Sequence, residues 1–212
     1  MTLSPGALVT DFLPAFLAGM AVNFEIATLA LVAGLAVGLP LAAAAAASRL
    51  VRVPAALIIA LMRAAPTFVV MFVLLSVLPR DALASAGLTV TGRLTVALAL
   101  LPYAAAYIAD NGGEALAQWR KGSRLAALLF LPNVARAYFI LVMASSAGAA
   151  IGVTEGISII LRYAEDVPLL ADKLALFGLG ILLFGIPLQC AFLGLNVLRA
   201  RLTRCALAQP AR

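Results

Sequence analysis

The chain has 212 residues, 65% of them hydrophobic and only 11% charged, with a mean hydropathy of +1.12. A soluble fold of this length cannot hide so much apolar surface, so the composition points to lipid as the solvent. The absence of histidine excludes Ser-His-Asp triads, His-ligated zinc and His-based acid–base catalysis, and Cys190 and Cys205 are too few for a disulfide framework. They read as two unpaired thiols without special chemistry.

In chain order, the first segment (residues 1–16) has no Lys or Arg ahead of its apolar stretch and contains Asp11, so it does not read as a cleavable signal peptide. A short apolar segment follows at 12–21, and the first full span is expected at 24–47. The second is expected at 54–78, interrupted by Arg63 and Pro66, and the third at 94–109. The fourth covers 125–153, where Pro132 and Arg136 divide a front piece (125–131) from the true span (137–153). The fifth covers 174–198. The runs are too long for barrel strands, so the expectation is an all-α integral membrane protein of about five transmembrane helices, residues 1–212 forming a single transmembrane domain.

Loop charges orient these spans. Arg49, Arg52, Arg120, Lys121, Arg124, Arg136, Arg199, Arg201, Arg204 and Arg212 fall on one side, ten of the fifteen basic residues. The other side holds Arg80, Arg93, Arg162 and Lys173 beside Asp11, Asp81, Glu155, Glu165, Asp166 and Asp172. The positive-inside rule puts the N-terminus outside and the C-terminus inside. The net charge of +6 is therefore read as membrane topology, with no nucleic-acid partner.

Four places carry more than a bland bundle needs. Arg63-Ala64-Ala65-Pro66-Thr67 breaks the second apolar run, and a break at membrane depth is tolerated where protein or water meets the freed backbone. It reads as a transport path or as a simple proline kink. Asn23 and Glu25 read as pathway groups or as boundary residues marking where the first helix begins. Ser145 and Ser146, with Gly148 and Gly152, form a small polar face suited to close packing or to a path. Residues 110–136 hold Gly112-Gly113 as a turn and Glu114 opening a short helix that Gly122 breaks, before an apolar run to Pro132. That segment is a contact for a soluble partner, or a loop with a snorkelling basic rim.

At these residues the sequence resembles the polar amino acid uptake class of ABC transporter permeases. The stretch from Leu13-Pro14-Ala15-Phe16 through Asn23-Phe24-Glu25-Ile26-Ala27-Thr28-Leu29 is similar to the family's opening segment. Leu61-Met62-Arg63-Ala64-Ala65-Pro66-Thr67, ending at Leu78-Pro79, resembles its F-R-G-T-P stretch. Ala105-Ala106-Tyr107-Ile108-Ala109-Asp110 with Gly112-Gly113 resembles A-Y-x-A-E…R-G-G, and Ile151-Gly152-Val153-Thr154-Glu155 resembles I-G-V-P-E. The family's E-A-A…G…I-x-L-P loop has a counterpart in Glu114-Ala115-Leu116 and Leu129-Phe130-Leu131-Pro132. Leu116 replaces the second alanine, Gly122 is displaced, Trp119-Arg120-Lys121-Gly122 stands for a longer run, and 132–151 is shortened with Met143-Ala144 and Ser145-Ser146 in place of a polar run.

The resemblance implies a type I importer permease in a bacterial cytoplasmic (inner) membrane. It would take amino acids or related small polar solutes and would work with a second permease subunit, a cytoplasmic ATPase dimer and an extracytoplasmic substrate-binding protein. Glu114, Ala115, Leu116, Gly122 and Pro132 would couple to the ATPase; Asn23, Glu25, Arg63, Pro66, Thr67, Ser145 and Ser146 would line the translocation path. The departures in the coupling loop fit the divergent half of a heterodimer. No G-x-x-x-x-G-K-[ST] occurs, so the chain is expected to hold no cofactor and to be no enzyme, with ATP and Mg2+ on partner subunits. The rival reading is a non-transporting scaffold or regulatory paralogue within such a complex.

Overall fold

Asn23 and Glu25 do not mark the start of a helix. The computed structural model describes residues 8–79, 85, 90–123 and 127–207, and of 202 and 205–207 only the backbone. In it a helical turn, Leu8–Phe12, runs straight into α1, Leu13–Ala45, which carries both residues in its interior. The expected segment at 12–21 and the expected span at 24–47 are one rod. Pro14 lies in the first turn, where its missing N–H is no loss, and Asn23 and Glu25 find partners on other segments instead of ending the helix.

The chain continues through α2 (Arg49–Ala64), α3 (Thr67–Val77), α4 (Gly92–Arg120), α5 (Phe130–Ala144) with a 3-10 stretch at Ser145–Ile151, α6 (Gly156–Glu165) and α7 (Leu170–Leu207). Among the described residues there is no strand. Four stretches are long and apolar enough to cross a membrane: Leu8–Ala45, Gly92–Arg120, Phe130–Ile151 and Leu170–Arg201. The pair α2 and α3, bent by 94° at Ala65 and Pro66, brings the total to five if it makes one crossing. The chain is an all-α, multi-pass membrane protein.

The break between α2 and α3 falls at the proline that the sequence singles out, with Ala65 and Pro66 both extended. Elsewhere the outcome differs from expectation. Gly112 and Gly113 make no turn, and Glu114 opens no separate helix; all three lie inside the 29-residue α4. The reason is packing, because a Cβ on Gly112 would stand 3.2 Å from the Cβ of Ala42, so the glycine admits α1 rather than bending the chain. Gly122, at φ +84°, does end the segment. Pro132 and Arg136 do not divide the fourth span, since Pro132 sits in the first turn of α5, where proline is tolerated. The regular helix stops at Ala144, well short of residue 153. The last span is longer than the expected 174–198, and α6 occupies a stretch read as loop. Residues 80–84, 124–126 and 208–212, with the charges expected of Arg80, Asp81, Arg124 and Arg212, lie outside the described residues.

α1 and α4 form the central pair. Ala30, Gly34, Gly38 and Ala42 recur every four residues along α1, and all four are buried. A Cβ on Gly34 would meet Ala104 Cβ at 2.6 Å, and one on Gly38 would meet the Ala105 carbonyl oxygen at 2.6 Å. Lipid offers helices no hydrophobic drive to associate, so close backbone approach along small residues supplies the contact instead. Around this seam Ile26, Val96, Leu100, Leu141 and Met71 bring α5 and α3 onto the same core. A second cluster, Phe12, Phe16, Ile159, Ile160 and Leu176, seats α6 and α7 on the N-terminal third of α1 and the turn before it.

Candidate functional site

The amide of Asn23 sits inside the bundle. It is fully buried together with Ser145 and Glu155, and Thr95 is the other buried polar side chain among the described residues. Asn23 Nδ2 donates to Ser145 Oγ at 2.9 Å and to Glu155 Oε2 at 2.9 Å, with Ser146 Oγ at 3.5 Å. Asn23 Oδ1 accepts from the Gly156 N–H at 2.9 Å. Ser145 Oγ in turn donates to the Val142 carbonyl at 2.7 Å. One side chain of α1 therefore ties together the end of α5 and the start of α6.

Glu155 also caps α6. Its carboxylate accepts from Ser158 N–H at 2.8 Å and Ile157 N–H at 3.0 Å, while Ser158 Oγ accepts from Glu155 N–H at 2.8 Å, a reciprocal capping box. Burial raises the carboxyl's pKa above its usual value, against the lowering effect of its bonds from Ile157, Asn23 and Ser158. Gly19 makes the arrangement possible, because a Cβ there would come within 2.9 Å of the Glu155–Gly156 backbone. No buried side-chain polar atom among the described residues lacks a partner.

Glu25 and Arg63, expected on the same path as Asn23, are elsewhere. Glu25 accepts from Arg93 Nη1 at 2.6 Å, linking α1 to the first turn of α4, with both side chains about half exposed. Three residues on, Thr28 Oγ1 lies 3.2 Å from the Tyr138 hydroxyl of α5. Arg63 Nη2 bonds both oxygens of Asp110, at 2.6 and 2.7 Å, so the final turn of α2 is tied to α4. Pro66 and Thr67 are the break itself. Of the seven path residues read from sequence, the fold brings together Asn23, Ser145 and Ser146, and separately Arg63, Pro66 and Thr67; Glu25 stands apart from both groups.

The residues expected to couple to an ATPase also separate. Ala115 and Leu116 line an open apolar groove of about 370 Å3 with Leu39, Ala43, Phe130 and Leu131. Glu114 instead borders a small polar cavity of about 80 Å3 with Asn111, Gln118, Asn133 and Arg199. Asn133 Nδ2 donates to Asn111 Oδ1 at 2.7 Å, joining α4 to α5 there. Gly122 forms the turn beyond α4, and Pro132 is buried in α5. Sequence reading missed the part played by Glu155, Arg93 and Asp110, which it counted only as loop charges or motif letters. It also missed Gly34 and Gly38, whose four-residue spacing was legible. Among the described residues no group of three metal-ligating side chains occurs. Cys190 is exposed and unpaired, and the side chain of Cys205 lies outside the described residues.

Neither a protein-family model nor a curated protein matches the sequence. Among solved structures, a chain from the crystal structure of an amino acid ABC transporter with histidines superposes with a TM-score of 0.68 at 17% identity. The match covers 95% of this chain and 100% of that one. At that identity the likeness is one of fold, and it leaves almost no part of either chain unmatched: this protein has the fold of a chain of an amino acid ABC transporter.

Proposed function

We propose that the chain is the membrane-spanning permease subunit of an ATP-driven importer for amino acids or related small polar solutes. The observation that carries this reading is the fold likeness over nearly the full length of both chains. The motif resemblance, in order along the chain, supports it independently. In this reading the chain pairs with a second permease subunit, sits on a cytoplasmic ATPase dimer that holds ATP and Mg2+, and receives solute from an external binding protein. It catalyses no reaction itself.

The mechanism uses the chain's own levers. Residues 110–136, with the apolar groove at Ala115 and Leu116, form the ATPase-facing end. α4 is one unbroken rod of 29 residues, about 43 Å at 1.5 Å per residue. It joins that end to Arg93 and Glu25 at the other. Because α4 is locked to α1 along Gly34 and Gly38, motion at its cytoplasmic end moves both helices together, and the break at Pro66 lets α3 follow at a different angle. ATP binding then shifts the population between inward- and outward-open states through differential contacts at this end.

Affinity purification of the tagged chain from its native membrane tests the reading. The expected result is co-recovery of an ATPase subunit and a second permease chain, with ATP-dependent amino acid uptake after reconstitution with a binding protein. Recovery of the chain by itself, or of an assembled complex that moves no solute, would reject it.

A further inference from the structure

α2 leaves α3 at 94°, so the two cannot both run along the membrane normal. From the level of the Arg63–Asp110 pair, α3 leads to Val70, Met71 and Leu74 in the core that holds Val96 and Leu100, so it follows α4 along the bundle. α2 lies across the inner end of the bundle. Its Ile59 packs on Ala106 and Ala109 of α4 and on Leu41 and Ala45 of α1, and its Arg63 reaches Asp110. Asp110 is 18 residues beyond Gly92, about 27 Å along the axis, close to the thickness of the hydrocarbon core. α2 therefore rests at the hydrocarbon boundary on the side of the basic loops.

The faces of α2 fit that level. At about 100° per residue, Ala55 and Ile59 form the buried face against the bundle. Leu50, Val53, Leu57 and Leu61 share the opposite arc and are 60–89% exposed. Arg49 and Arg52 stand on a third edge with Ala56 between them, and all three are exposed. A helix with an apolar face, a basic edge and an axis across the bundle lies in the interface plane, and basic residues there attract acidic headgroups.

We propose that α2 is an in-plane helix that docks on anionic phospholipid, with Arg49 and Arg52 on the headgroups and Leu50, Val53, Leu57 and Leu61 among the acyl chains. The occupant is lipid rather than protein because the exposed arc is uniformly apolar while Arg49 and Arg52, the two charges of α2 other than the Arg63 that meets Asp110, lie along one edge, the pattern of a bilayer boundary. This inference rests on the fold and not on the importer reading.

The test uses the full chain, with Cys190 and Cys205 changed to serine, in vesicles of phosphatidylcholine with or without phosphatidylglycerol. Spin labels at Leu57→Cys and Leu61→Cys are expected to be relaxed by oxygen and shielded from a water-soluble nickel reagent. Spin-labelled phosphatidylglycerol is expected to associate in preference to phosphatidylcholine, and R49Q/R52Q to bring that preference toward one. Labels reached by nickel, or labels immobilised and shielded from oxygen in the purified complex, would overturn the proposal, the latter by putting a partner subunit on this face. An unchanged lipid preference in R49Q/R52Q would also overturn it. The depth measurement leaves both arginines intact, so it stands even if the double variant fails to fold.

Discussion

Asn23 holds three segments with one amide, and removing it leaves the buried Gly156 N–H without a replacement acceptor. Asn23→Leu keeps the branched shape of the side chain but strips a donor from Glu155 and Ser145 and an acceptor from the Gly156 N–H, all buried. Glu155 keeps its bonds from Ile157 and Ser158 and Ser145 keeps its bond to Val142, so the Gly156 N–H is the group left unpaired. An orphaned buried group costs about 1–3 kcal/mol, and the variant is expected to lose about that much stability in detergent. Ser146→Ala, at a contact of 3.5 Å, is expected to change stability by no more than about 0.5 kcal/mol. Equal losses from the two would show that the cluster is not organised around Asn23. Glu155 adds a pH signature. Burial raises its carboxyl above the ordinary value of 4.5. A raised acid contributes stability that is complete below the unfolded value and is lost as pH rises through the folded one. The unfolding temperature is therefore expected to fall as pH climbs above 4.5, and Glu155→Gln to flatten that fall. A variant with the wild-type slope would assign the dependence to another group.

Between helices, small residues carry the fold, and two glycines of the central pair separate packing from propensity. Gly38→Val would push a side chain into the Ala105 carbonyl and Ile108, where even a Cβ would stand at 2.6–2.9 Å. Overpacking of this sort costs about 1–3 kcal/mol, and backbone has little room to yield, so the upper end is expected. Gly113 sits inside a regular helix, and a Cβ added to it would meet nothing within 4 Å. Gly113→Ala is expected to stabilise by about 1 kcal/mol through helix propensity alone. Denaturation in mixed micelles reads both, and a destabilising Gly113→Ala would mean that the site needs glycine for a reason other than packing. The same helices show what the sequence conveys and what it hides. Hydropathy and the proline at 66 announce the spans and the break, because both act locally. Gly112-Gly113 looks the same on paper as a turn, and only the arrival of Ala42 from 70 positions earlier makes it helix. Asn23 and Glu155 lie 132 residues apart, so neither could name the other as partner, although each was visible as an unusual group in an apolar chain.

Across the whole molecule the charge asymmetry predicts an orientation, and the fold supplies two poles at which to test it. The turn after α4, with Arg120 donating to the Ala46 carbonyl at 3.0 Å, gathers the ends of α1 and α4 at one pole. Gly152 and the capped start of α6 mark the other pole, where Glu155 meets the N-terminal part of α1. Two cysteines read these poles in one experiment, once Cys190 and Cys205 are serine. Ser123→Cys lies just past the Gly122 turn, and Thr154→Cys lies in an exposed position between Gly152 and α6. If the basic pole faces the cytoplasm, an impermeant maleimide added to intact cells labels Thr154→Cys and leaves Ser123→Cys untouched until the membrane is opened. The reverse pattern would invert the chain, place residues 110–136 away from any ATPase, and remove the importer reading along with the orientation. Labelling of both from outside would mean that Phe130–Ile151 makes no crossing, because that stretch alone lies between the two positions and must span the bilayer to separate them.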